Sequence, residues 1–204
     1  MARRSEHSQA EIKTMVLEAA EEIVHEQGFS ALKVRKIAAD IGYTVGSIYM
    51  VFSNMNDLHL HIKARTWQKL CAHLQTQEQH PVTLASIEAS ALDYLDFTVL
   101  NKGLWCMLFE HQLPITEMMP DWYLQETAQP IDFFEQLLKQ LHSSHTEKQI
   151  QQAAQSLLQA VQGVCVHLLV KPASPDNIAL AKADMLFLVE CFMCGFLKLE
   201  QGAD

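Results

Sequence analysis

The chain has 204 residues and a mass of 23.1 kDa, room for one or two small domains around a sizeable core. Half of it is apolar, with only 7 Gly and 6 Pro, which excludes collagen-like, low-complexity and disordered classes and points to an all-α fold. The net charge of −9 is unevenly spread: residues 1–70 hold nine Lys/Arg against eight Asp/Glu, residues 71–204 six against sixteen, and all four Arg lie in the first third. Two modules with different partners explain such an asymmetry. Five Cys without dense spacing argue against a secreted disulfide scaffold and for a reducing cytoplasm. The stretch from Met1 to Lys13 is basic, then mixed, with no apolar run behind it, so no signal peptide is expected.

In chain order, Ser8 with Glu11 has capping-box spacing, and Ile12, Val16, Ala20, Ile23 and Val24 recur at helical spacing up to Gly28. A short helix follows over Lys33–Asp40, with Val34, Ile37, Ala38 and Ile41 inward. Gly42-Tyr43 makes a turn, and Thr44 caps a second short helix through Val51 that buries Ile48, with Phe52 after it. Two short helices joined by a glycine-containing turn read as helix-turn-helix. Asn54 and Asp57 open a longer helix that Pro81 ends, followed by Thr83–Leu100 and Gly103–Gln112. Pro114, Pro120 and Pro130 predict loop and short helical pieces, with a helix from Ile131 to His142 behind them. Thr146–Val170 follows.

Residues Gln149–Val170 carry no charged side chain over 22 positions, yet five of the six Gln fall on one side, which makes an amphipathic helix and not a membrane span. Ser174-Pro175-Asp176 then combines a cap, a first-turn proline and a carboxylate, opening a helix that buries Ile178, Ala181, Met185, Leu188, Val189, Phe192 and Phe196.

The string Gly28 to Leu58, GFSALKVRKIAADIGYTVGSIYMVFSNMNDL, resembles the DNA-binding domain of the TetR family of bacterial repressors. It is carried by Gly28-Phe29, Val34-Arg35, Ile37-Ala38, Gly42, Gly46-Ser47-Ile48-Tyr49, Phe52 and Leu58. The resemblance implies a three-helix helix-turn-helix domain over 1–54 and a helical effector-binding and dimerisation domain over 55–204. The sequence departs from the family where Leu32-Lys33 replace Thr or Ser, where Met55 replaces a phosphate-contacting Lys, and where Val45 and Met50 replace cationic reading positions. Fewer cations mean modest non-specific affinity, for which Arg3, Arg4, Lys13, Lys33 and Lys36 compensate.

With Ile48 and Phe52 inward, Val45, Gly46, Ser47, Tyr49 and Met50 face outward, an uncharged reading face beside Thr44, Lys33, Arg35 and Lys36. Arg35 is the candidate for a bidentate guanine contact. Val45, Ser47 and Met50 suit thymine methyls, and Tyr49 suits a phosphate. The alternative is a three-helix packing unit that touches no DNA.

Cys191-x-x-Cys194 lies mid-helix in an apolar stripe without a second such pair, so small core residues are expected there and no metal site. Of the scattered histidines, His59, His61, His142 and His145 read as solvated. No catalytic arrangement, phosphate loop or cofactor motif is present, and an enzyme is not expected. The two last helices, through Leu157, Val161, Leu188 and Phe192, suit a two-fold four-helix bundle with a second copy.

Residues 94–134 hold eight of sixteen aromatics, and Tyr94, Phe97, Trp105, Phe109, Met118 and Trp122 are the candidate effector contacts in the pocket that the resemblance implies. Lys102 is the lone Lys or Arg among six carboxylates in that window, which favours a neutral or cationic apolar ligand. The reading is a homodimeric, cytoplasmic, ligand-responsive regulator that an effector releases from a palindromic operator. Its competitors are an all-helical enzyme or lipid carrier with purely structural N-terminal helices, and a helical adaptor.

Overall fold

A computed structural model describes residues 7–75, 81–141, 145–172 and 174–198. The basic Arg3 and Arg4 and the histidine at 142 lie outside that set. The described residues form nine α-helices: α1 (Gln9–Gln27), α2 (Val34–Asp40), α3 (Val45–Tyr49), α4 (Met55–Gln75), α5 (Leu84–Leu100), α6 (Lys102–Glu110), α7 (Asp121–Leu141), α8 (Glu147–Leu169) and α9 (Pro175–Lys198). A 3₁₀ turn, Phe29–Ala31, sits between α1 and α2. The architecture is all-α, and none of the described helices is long and apolar enough to cross a membrane.

Local chemistry places most helix ends. Ser8 and Glu11 form the reciprocal capping box of α1, and Thr146 and Gln149 form that of α8. Gly28 closes α1 at φ 80°, its N–H on the Val24 carbonyl. Ser174 receives the Asn177 N–H at 3.2 Å ahead of Pro175, the first residue of α9.

Proline at 130 does not end a helix. α7 runs unbroken from Asp121 to Leu141 with Pro130 inside it. A proline deletes one ladder bond and crowds the carbonyl four residues back, a cost of about 3 kcal/mol. Burial of Pro130 with Phe133, Phe134, Leu137 and Leu138 on the following turns outweighs it.

Two compact units divide the chain. The first consists of the described residues up to Thr66 together with Asn101–Leu124; the second of Trp67–Leu100 together with the described residues from Gln125 on. α6 thus belongs with the N-terminal helices. In the first unit, Val16, Ala20 and Val24 of α1 pack with Ile37 of α2, Ile48 of α3, Phe52, Leu58 and Ile62, and with Leu104 and Met107 of α6. Glu21, buried on α1, accepts a bidentate pair from Arg65 of α4, at 2.6 Å from Nε and 3.2 Å from Nη2.

In the second unit α5, α8 and α9 pack on one another. Buried on them are Ile87, Ala91, Tyr94 and Leu95 of α5, Leu157, Leu158, Val161 and Cys165 of α8, and the α9 stripe Met185, Val189, Met193 and Phe196. Gln162 donates to the Tyr94 hydroxyl, and Lys182 of α9 pairs with Asp96 of α5 at 2.8 Å. On α9, Ile178, Leu188 and Phe192 stay half-buried where the periodicity predicts core. Cys191 and Cys194 are exposed, correcting their reading as core residues: they lie off the Met185–Val189–Met193–Phe196 stripe.

The tightest approach is at Gly103, where a Cβ would lie 2.0 Å from the Val24 carbonyl oxygen and 3.2 Å from that of His25. Both are main-chain atoms that no rotamer change can move. Gly103→Ala is therefore expected to cost about 3 kcal/mol or more, read as a lowered urea midpoint for the chain, whereas Gly163→Ala, with open space at its Cβ, leaves the midpoint unchanged or raised.

Candidate functional site

The helix-turn-helix is built from local rules. α2 ends in a Schellman turn: the Gly42 N–H reaches the Ala39 carbonyl at 3.2 Å and the Tyr43 N–H the Ala38 carbonyl at 2.9 Å, with Gly42 at φ 71°. The Thr44 hydroxyl accepts the Ser47 N–H and starts α3. Ile48 is fully buried and Phe52 nearly so, and these two anchors turn Gly46, Tyr49 and Met50 to solvent, with Val45 and Ser47 half-exposed. Met50 is 65% exposed, unusual for a residue with no core to join. Lys33, the residue that precedes α2, and Arg35 are exposed beside this face. Lys36 is half-buried, its ammonium donating to Gln27 of α1. Lys13 does not join them: its Nζ is 3.1 Å from His61 Nε2 and lies over the Phe52 ring.

α3 is thus a short, uncharged, solvent-facing helix carried on a buried pair and flanked by exposed cations. Residues 16–62, which include this helix-turn-helix, match the family described as bacterial regulatory proteins, tetR family. The N-terminal helices are a tetR-type helix-turn-helix domain. No curated protein matches it by sequence. Among solved structures it is similar to a TetR transcriptional regulator from Rhodococcus sp. RHA1, at 15% identity over 91% of this chain and 97% of that one, TM-score 0.63. It is also similar to the TetR family regulator PfmR from Thermus thermophilus, at 14% identity over 86% and 97%, TM-score 0.62. A third likeness is to the multidrug binding protein EbrR complexed with imidazole, at 16% over 86% and 93%, TM-score 0.54. At these identities the likenesses speak for the fold, which extends over the helical region after the reading domain.

The candidate effector contacts fall in both units. Tyr94 and Phe97 are buried on α5, Phe97 beside the His73 ring. Trp105 is buried on α6 with Phe109 at 4.7 Å between ring centres, and Phe109 is half open. Trp122 stacks on His61 at 4.5 Å. Met118 is 92% exposed on the segment between α6 and α7. The second unit also contains a carboxylate the sequence did not single out: Asp93 Oδ2 is buried without a hydrogen-bond partner among the described residues, and burial lifts its carboxyl above the usual range, with His73 opposing.

Three histidines read as solvated are not. His145 is buried, stacked on Phe196 at 4.1 Å with Nε2 3.0 Å from that residue's carbonyl oxygen. His61 is half-buried between Lys13, Asp57 and Trp122, and desolvation holds its pKa down. His59 is buried on α4, perpendicular to His111 with ring centres 4.6 Å apart. Beside them the buried Lys63 donates to the His111 carbonyl at 3.0 Å. Spacing on one helix could not reveal this cluster, because His111 lies 48 residues beyond Lys63. It also places a cation near the aromatics that a count within residues 94–134 misses.

Proposed function

We propose that the chain is a ligand-responsive transcriptional repressor, a homodimer that binds palindromic operator DNA and is released by a small apolar effector. The observation that carries the DNA assignment is the face of α3: Gly46, Tyr49 and Met50 open to solvent, Val45 and Ser47 beside them, and Lys33 and Arg35 at its border. Arg35 has the donors for a bidentate guanine contact, Val45, Ser47 and Met50 suit thymine methyls, and Thr44, Tyr49, Lys33 and Lys36 position phosphates. A salt-dependent mobility shift on the DNA upstream of the chain's own gene tests this. Arg35→Ala is expected to lose about 1–3 kcal/mol and to relax preference at one base per half-site. Tyr49→Phe weakens binding evenly across sequences. Unchanged selectivity in Arg35→Ala would refute the Arg35 assignment.

Support for the dimer comes from the outer face of α8 and α9. A groove of about 650 Å³ is lined there by Gln149, Gln152, Ala153, Ser156, Cys191, Phe192, Gly195 and Phe196. Phe187 is 68% exposed, and Leu188 and Phe192 are half-buried. Leu157 and Val161 have none left within one chain, so they back this face and the second copy meets α9 residues such as Phe192. Phe192→Glu is therefore the clean variant: it should sediment as a monomer, keep its helicity and lose about 10²–10⁴ in operator affinity as the two half-sites uncouple. A wild-type monomer at micromolar concentration would refute the dimer.

For the effector, the buried Tyr94 and Phe97 share a helix with the unpartnered Asp93 oxygen, a combination that suits a neutral or cationic apolar ligand able to donate a hydrogen bond. The similar fold of a multidrug binding protein complexed with imidazole agrees with that class. Binding would favour a conformer whose two reading heads no longer match the half-site spacing. Matched neutral, cationic and anionic apolar compounds, compared by thermal shift and operator release, should rank the anionic set last. Tight binding by the anionic set alone would refute the charge argument.

A further inference from the structure

The contact between α4 and the end of α6 contains an arrangement that packing and hydrogen bonding do not explain. Both ring nitrogens of His59 and Nδ1 of His111 are buried without a partner among the described residues. A neutral imidazole has one donor and one acceptor to satisfy, and leaving them unmatched is unfavourable. A phenylalanine would make the same edge contact that His59 makes with Phe29, at 5.1 Å between ring centres. What histidine adds at this position is an ionisable group with an ordinary pKa of about 6.5.

The surroundings are set against that charge. From α4 itself comes Lys63, its ammonium on the His111 carbonyl and over the Tyr123 ring of α7. From the start of α2 comes Lys33, which also acts on His59. The acid on this side is Glu117, after α6; it faces His111 and is held by the Asn56 amide at 3.0 Å, while His111 Nε2 meets Asn56 Oδ1 at 3.3 Å. Among the described residues the charged groups acting on His59 are His111, Lys63 and Lys33, with no carboxylate. Protonating both imidazoles puts three like charges, Lys63 included, into one buried contact.

We propose that this contact is a proton-operated latch: while His59 and His111 are neutral it holds α4 against the end of α6 and the Phe29 turn, and their protonation opens it and weakens operator binding. The DNA part rests on the operator reading given above. The direction follows from the protonation states. Burial, reinforced by His111, Lys63 and Lys33, pushes His59 down to about 4 from an ordinary value of 6.5. His111 is lowered too, by burial and Lys63. A depressed histidine pKa favours the closed form above about pH 6.5, and that preference drains away as pH falls towards 4. Between pH 7.5 and 5.5, His59 alone shifts the balance towards the open form about tenfold.

The test uses the full-length protein and its His59→Phe and His111→Phe variants. Amide-exchange protection over residues 55–66 and 104–111 should fall about tenfold or more from pH 7.5 to 5.5 in the wild type, and about tenfold less steeply in His59→Phe, where only His111 still titrates. Operator affinity should drop over the same interval relative to that variant. Equal pH dependence of protection in wild type and His59→Phe overturns the latch. Lost protection with operator affinity moving in parallel in the two proteins overturns its link to DNA. If neither protein binds DNA at pH 7.5, the operator reading fails and the exchange data alone judge the latch. Should the variants not fold, the wild-type imidazole resonances decide: His59 titrating well below 6.5 as α4 loses protection supports the latch, and His59 titrating near 6.5 in a fully protected α4 overturns it.

Discussion

Gly103 lets α6 lie with its first turn against the carbonyl end of α1, main chain on main chain. That contact decides more than one helix position. It brings Leu104 and Met107 into the core shared by α1, α2, α3 and α4, so the reading domain is completed by a segment that begins beyond residue 100. It also aims the far end of α6 back at α4, where His111 meets His59 and Lys63. A side chain at 103 would hold the two backbones apart, and Leu104 would lose its seat first. The buried Glu21–Arg65 pair ties α4 to α1 from another direction, so α1 is braced both by charge and by close approach.

How much of this was legible depended on the range of the interaction. The capping box at Ser8, the glycine turns at 28 and 42, and the Ser174-Pro175 start are written within four or five residues, and each appears where its spacing places it. Pro130 misled because its cost is local, whereas the packing of Phe133, Phe134 and Leu138 that overrides it depends on the tertiary fold. Helical periodicity showed that α8 and α9 have apolar stripes but not how those stripes divide between the chain's own core and an outer face. Val161 went wholly to the first, Phe192 only in part. The buried histidines were illegible because their partners come from distant helices.

The cations of the first third show the same limit. An excess of basic residues near a helix-turn-helix suggests a phosphate surface, yet Arg65, Lys63 and Lys13 are engaged inside the unit, with Glu21, the His111 carbonyl and the Phe52–His61 corner. Lys33 and Arg35 remain open beside α3. Counterion release scales with the phosphates neutralised, so a reader with few open cations gains most of its discrimination from shape and base contact.

α3 separates two duties by position. Ile48 and, just beyond it, Phe52 carry the packing, and Thr44 carries the cap, while Gly46, Tyr49 and Met50 bear almost none of the fold's weight. Exchanging those outward residues leaves the scaffold intact, so duplicated copies of such a domain can drift to new target sites one side chain at a time. The same economy makes the domain a practical chassis for reprogramming, with Ile48, Phe52 and Thr44 kept and the outward positions varied.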